Sequence, residues 1–352
     1  MMTPFEYPFS VRLERVVLSV LVAGIFAIGI ARVPQAISQE DHTVHQQNDH
    51  MMTDEQFAEL RSKVPLYKEY TDEQIIESMS RMRNLGGMLS DATIVGDVGV
   101  LAMAHGYTDD GNQQWMDRFD VISSDYPTGY GLGMAMMSSE HIQTTIDSLE
   151  AAGAKKILVL RTETGDTNSL QRQWQYIFGR RDDSSYLSVP RVTSNAELIW
   201  GPTPTTHPIM GEIMLEHAQQ LSIDPANELV FIMGHGPMTP EENELDLAIM
   251  AIHAKAIQEG GGFKDVKYWN VQDDLPPDER AENVVKIRGW IKEARDQGMD
   301  VIVVTNSMTQ GSLTGRLQRD VEGLDVKFNA TGLIQNPRFA DWIKAMVEEN
   351  LS

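Results

Sequence analysis

The sequence reads as an α/β protein of two similar lobes with parallel sheets, and three observations predict it. Residues 98–104 (VGVLAMA) and 229–234 (LVFIMG) are apolar runs without polar alternation, the pattern of strands covered on both faces. Each run ends in a His-Gly pair, His105-Gly106 and His235-Gly236, 130 residues apart, which is about one domain length. In both halves a helical stretch then stops at a glycine and an apolar strand follows, Gly153 before residues 157–160 and Gly298 before residues 301–304.

The elements follow in chain order. Residues 16–31 (VVLSVLVAGIFAIGIA) carry no charge and are flanked by Arg12, Arg15 and Arg32. Sixteen residues fall short of the roughly 20 that span a bilayer and sit nearer a secretory h-region, so residues 1–38 read as a signal peptide or membrane anchor. Ala36-Ile37-Ser38 offers small residues for cleavage near Gln39. The chain is therefore expected to be periplasmic or exported, touching a membrane only through this segment. Residues 39–90 read as a polar tether, with His42, His45 and His50 close together, and a helical lead. Its helices start at Thr53-Asp54-Glu55 and Thr71-Asp72-Glu73-Gln74, where a capping hydroxyl precedes first-turn acids.

Lobe 1 spans 91–223 and lobe 2 spans 224–352. After each His-Gly pair comes an acidic helical stretch, 108–118 and 239–258, then a second strand, read at 119–123 and 266–271. The glycine-capped helices and third strands complete each unit, and a turn with an amphipathic helix closes it, at 200–218 and 330–348. Strands alternating with helices imply right-handed crossovers and covered sheets.

Composition narrows the function. The 352 residues hold 51 Asp+Glu against 29 Lys+Arg, a net charge of −22, which excludes a general nucleic-acid binder. With no cysteine, disulfides, thiolate metal sites and cysteine nucleophiles are excluded too, so any metal takes nitrogen or oxygen ligands.

Ligands of open parallel sheets bind beyond the carboxyl ends of the strands, which singles out His105 and His235. The segment 125–134 (DYPTGYGLGM) reads as a loop whose Tyr126 and Tyr130 lie against a flat ligand. Met134, Met136 and Met137 read as packing. After the third strand of lobe 1, Glu163 is a candidate proton acceptor or metal ligand and Arg161 a partner for a ligand carboxylate. His217 and His253 read as helix-surface residues.

On these motifs the sequence resembles the type II chelatases, specifically the sirohydrochlorin cobaltochelatase family, over about residues 96–350. The resemblance rests on VGVLAMAHG and LVFIMGHG, on the glycine-capped helices before AKKILVL and MDVIVV, and on the closing ATGLIQNPRFADWI. It implies two flavodoxin-like lobes around a cleft that takes a tetrapyrrole. It also implies insertion of a divalent metal as substrate, cobalt first and nickel or iron as alternatives, without a nucleotide. His105 carries over as principal ligand or base, and His235 as its counterpart in lobe 2. The family commonly has another histidine after a third strand; the turns TETGDTNSLQRQ and TNSMTQGSLTGR hold none, and Glu163 is the residue that would substitute. Arg161, Arg172, Arg180, Arg181, Arg316 and Arg319 would offset the acidic surface toward a carboxylated macrocycle. A non-catalytic periplasmic binder of metal or tetrapyrrole on the same scaffold is the alternative, and a substrate-binding protein for another small ligand a third reading.

Overall fold

The computed structural model describes residues 52–80 and 84–351. The apolar segment at 16–31, the cleavage position expected near Gln39, and His42, His45 and His50 lie outside the described residues. No helix among the described residues is long and apolar enough to cross a membrane.

The lead forms α1 (Asp54–Lys63) and α2 (Asp72–Ser80). Both start in a capping box: Thr53 exchanges hydrogen bonds with Gln56, and Thr71 does so with Gln74. Leu60 and Ile75 are fully buried in a cluster with Leu101, Met103 and Trp174, and Lys63 donates to Ser184 Oγ and to the Tyr186 carbonyl. The lead is thereby fastened to one face of the first sheet.

The first half continues with β1 (Leu85–Leu89), β2 (Val98–Ala104), α3 (Asp109–Asp117), α4 (Asp120–Ser123), β3 (Thr128–Leu132), α5 (Glu140–Ala151), β4 (Lys156–Arg161), α6 (Ser169–Ile177), β5 (Glu197–Trp200) and α7 (Pro208–Gln219). The second contains β6 (Glu228–Gly234), α8 (Pro240–Gly261), β7 (Asp265–Asn270), α9 (Pro277–Asp296), β8 (Asp300–Thr305), α10 (Ser312–Asp320), β9 (Lys327–Phe328) and α11 (Phe339–Leu351). The sheets run β1-β3-β2-β4-β5 and β7-β6-β8-β9. Every pairing is parallel except β1 with β3. Leaving out β1, both sheets have the doubly wound order 2-1-3-4, so the two flavodoxin-like lobes with parallel sheets are the architecture of the chain.

Three readings need correction. Residues 119–123 are not the second strand of lobe 1: Phe119 and Ile122 turn into α4, and the strand is β3, inside the stretch read as a loop. Its glycines disguise it, yet they are what lets it pack: a Cβ on Gly129 would sit 2.6 Å from Thr145 Cγ2 of α5. Secondly, β1 lies within the stretch read as helical lead and pairs with β3, so the first sheet begins before residue 91. Thirdly, His217 and His253 are not on the surface; they are 1% and 3% exposed, His253 Nε2 bonding the Thr205 carbonyl at 2.9 Å.

The halves share a core. One apolar cluster joins Val100, Ala102 and Leu160 to Val230, Ile232, Ile302 and Trp342. The closing helices are exchanged: α7, the last of the first half, packs on α8 and β8, whereas α11 packs on α4 and β4. Arg118 of the first half donates to the carbonyls of Ile334 and Gln335, and Arg338 of the second pairs with Glu212 and Glu216. Burying this much shared apolar surface, at about 25 cal/mol per Å², makes separation of the halves costly.

Candidate functional site

β2 and β6 are the central strands of their sheets, each flanked on both sides, so their carboxyl ends point into the middle of each lobe. At those ends the chain turns through Gly106 (φ +89°) and Gly236 (φ +75°), a left-handed backbone that glycine adopts without steric cost. Both turns do the same thing to the preceding histidine. The Nδ1 of His105 bonds the Gly106 carbonyl, and the Nδ1 of His235 bonds the Gly236 carbonyl at 2.7 Å. A carbonyl only accepts, so Nδ1 carries the hydrogen and, in the neutral ring, Nε2 keeps the lone pair that a metal or a proton needs.

Both imidazoles line one cavity of about 680 Å³, within the size range of small-molecule sites. Glu163 lines it as well, two residues beyond the end of β4. It is 7% exposed and accepts the His105 backbone N–H at 2.9 Å. Burial pushes its carboxyl above the usual range, opposed by the His105 imidazole, by the His105 backbone N–H and by His235. A carboxyl in that condition takes up a proton more readily than one on the surface. His235 Nε2 lies 3.7 Å from Asp274 Oδ2. Among the described residues no three His, Asp or Glu side chains converge to enclose a metal by themselves. A metal here would need donors from a ligand to fill its coordination sphere.

The other residues expected at the site are elsewhere. Tyr130 is a core residue, 4% exposed, wedged against Trp115 and Phe119 with ring centroids 5.6 and 6.0 Å away, and its hydroxyl points back at the Met116 carbonyl at 3.4 Å. Tyr126 packs on the same core from the turn before β3. Arg161 is 4% exposed and spent internally: it donates to Gln171 Oε1 at 2.5 Å and the Gly201 carbonyl at 2.9 Å, and it lies over the Trp200 ring. Burial pulls its guanidinium down to about 10, against the raising effect of Asp166. None of these three lines the cavity. Met134 does, while Met136 is buried.

The cavity also holds residues that the sequence reading passed over. Tyr107 and Tyr186 give it aromatic surface, and Met238 and Met308, from the turns after β6 and β8, give it adaptable apolar surface. Tyr107 carried a usable signal, since it directly follows the first His-Gly pair. Arg316 is the one Lys or Arg side chain in the lining, where Asp109, Asp246 and Asp274 join Glu163. Its guanidinium is paired with Asp273 at 2.5 Å.

No family model and no curated protein matches the sequence. Among solved structures, the chain is similar to SirB from Bacillus subtilis with Fe3+, at 14% identity and a TM-score of 0.54, over 72% of this chain and 96% of that one. It is also similar to the sirohydrochlorin chelatase SirB from Bacillus subtilis subspecies spizizenii in complex with cobalt, at 12% identity and a TM-score of 0.50, over 72% and 95% of the two chains. The chain has the fold of the sirohydrochlorin chelatases.

Proposed function

We propose that the protein inserts a divalent metal ion, with cobalt the first candidate, into a sirohydrochlorin-like tetrapyrrole held in the cavity between its lobes. The observation that carries this reading is the pair of imidazoles, His105 and His235, each with Nδ1 tied to a glycine carbonyl and both lining one cavity. Imidazole nitrogens suit Co²⁺, Ni²⁺ or Fe²⁺ and release them, and the incomplete protein ligand set favours handing the ion to a macrocycle over storing it. Glu163 accepts a proton displaced from the ring nitrogens. The methionines and tyrosines of the lining supply apolar faces for a flat ligand. We further place the protein outside the cytoplasm, which the uncharged stretch at 16–31 supports.

The test is to follow the absorption spectrum of sirohydrochlorin with Co²⁺ and purified protein. Catalysed change is expected; change at the uncatalysed rate alone rules the reading out. A non-catalytic metal or tetrapyrrole binder is the second reading, favoured by four acidic lining residues against one arginine, a lining that attracts a cation and repels a polycarboxylated ring. Tight binding of Co²⁺ or macrocycle without turnover would select it.

A further inference from the structure

We infer that Asp246, on α8 of the second half, is a second catalytic proton acceptor in the same cavity, an inference that rests on the chelatase reading above. Asp246 lines the cavity and is 7% exposed. Its Oδ2 accepts from Asn270 Nδ2 at 2.8 Å, and that amide also donates to Asn243 Oδ1 at 2.8 Å. Asn270 is fully buried, so a fixed amide pins the carboxylate in one orientation. The other oxygen, Oδ1, is turned toward the first half, where a Cβ on Gly165 would lie 3.3 Å from it. Gly165 is two residues beyond Glu163. The two buried carboxylates thus approach the cavity from opposite lobes.

Placement along the helix shows that this carboxylate is peculiar to one lobe. Asp246 stands seven residues after Thr239, the N-cap of α8; seven residues after Thr108, the N-cap of α3, stands Trp115, fully buried. Where one lobe fills this position with an indole, the other sets an acid against the cavity. Among the described residues no Lys or Arg pairs with it, although an unpaired buried carboxylate is costly. A structural role alone would be served by an amide. Burial raises its proton affinity, opposed by the Asn270 hydrogen bond and by His235. Besides His235, the other charged or titratable groups of the lining are His105, Glu163, Asp274, Asp109, Arg316, Tyr107 and Tyr186.

The chemistry calls for two such groups. A free-base macrocycle carries two N–H bonds; when M²⁺ enters, both break, the electron pairs stay on nitrogen to bind the metal, and two protons leave. One goes to Glu163 and the other to Asp246, and each then passes to water. Loss of one positioned base typically costs a factor of about 10² or more in rate.

Asp246→Asn retains the shape and an oxygen that can accept from Asn270. The experiment measures kcat and KM for Co²⁺ insertion into sirohydrochlorin, Co²⁺ affinity without macrocycle by calorimetry, and the pH dependence of kcat in the unmodified protein. The expected result is a fall of about 10²-fold in kcat with KM and Co²⁺ affinity within about twofold. Asp246→Glu should recover part of the rate, and log kcat of the unmodified protein should approach a slope of two on its acidic limb. An unchanged kcat in Asp246→Asn overturns the inference, as does a parallel loss of Co²⁺ affinity, which would make Asp246 a metal ligand. Should the variants fail to fold, a slope of one in the unmodified protein overturns it alone. Absence of turnover in the unmodified protein removes the chelatase reading and this inference together, a result distinct from all the others.

Discussion

The two lobes repeat a backbone but not a site. Each presents a histidine at the end of its central strand, turned by a left-handed glycine and tied through Nδ1 to the next carbonyl. Behind that shared feature they diverge. The register Met103↔Arg161 in the first sheet corresponds to Met233↔Thr305 in the second, so the position of Glu163 is taken by Ser307. The acid of the second lobe comes instead from α8, above the amide network of Asn243 and Asn270, where the first lobe has Trp115 and Leu132 in an apolar core. The repeated backbone supplies two symmetric donors, and the lobes give them different acids, one per wall of a single cavity.

This contrast can be broken most severely at the histidines. His105→Ala is expected to slow Co²⁺ insertion by about 10³-fold, and His235→Ala by about 10-fold, because only His105 is bonded through its backbone to a buried carboxylate. Equal losses, measured as initial rates, would mean that the acid contributes nothing to the asymmetry. Next comes Trp115→Ala, which empties a fully buried indole position, removes its 2.7 Å bond to Thr162 Oγ1 and should cost about 3–5 kcal/mol in urea unfolding. The carbonyl turns also differ: Gly106→Ala meets left-handed strain of about 1–2 kcal/mol. At Gly236 the same change adds a methyl 2.5 Å from Asn270 Cβ and should destabilise more.

Glu163→Gln sharpens the comparison through pH. Burial, the largest influence on Glu163, raises its proton affinity in the folded chain, with both imidazoles opposing. The folded state therefore binds the proton more tightly than the unfolded chain. The stability this gives is full below the unfolded value near 4.5 and is lost as pH rises through the raised folded value. The substitution should thus raise the melting temperature by about 1–3 °C at pH 8 and leave it unchanged at pH 4. Smallest of all, Tyr130→Phe should shift stability by less than about 1 kcal/mol and leave insertion rates untouched, as its ring is core and its hydroxyl makes one 3.4 Å contact.

Much of this was legible in the sequence, for reasons the structure makes plain. Buried parallel strands have no solvent face, so β2 and β6 stand out as unbroken apolar runs, and helix caps at Thr53, Thr71 and Thr239 are written in single residues. β3 was missed because its glycines, needed for contact with α5, look like loop residues. The site was legible where the backbone dictates it, at the two His-Gly turns. Arg161 misled because nothing local reveals that Gln171, Gly201 and Trp200 close around it. Asp246 was invisible for the converse reason: on a helix rich in acids, only tertiary packing separates the buried ones, Glu242 and Asp246, from those that are solvated.

The exchanged closing helices bear on how anything gets in. With α7 seated on the second sheet and α11 on the first, hinging the lobes widely apart would peel a helix off its adopted neighbour and wet the common interior. Wide clamshell motion therefore carries a large cost in exposed apolar surface, and whatever enters meets both His-Gly turns already fixed on one common core.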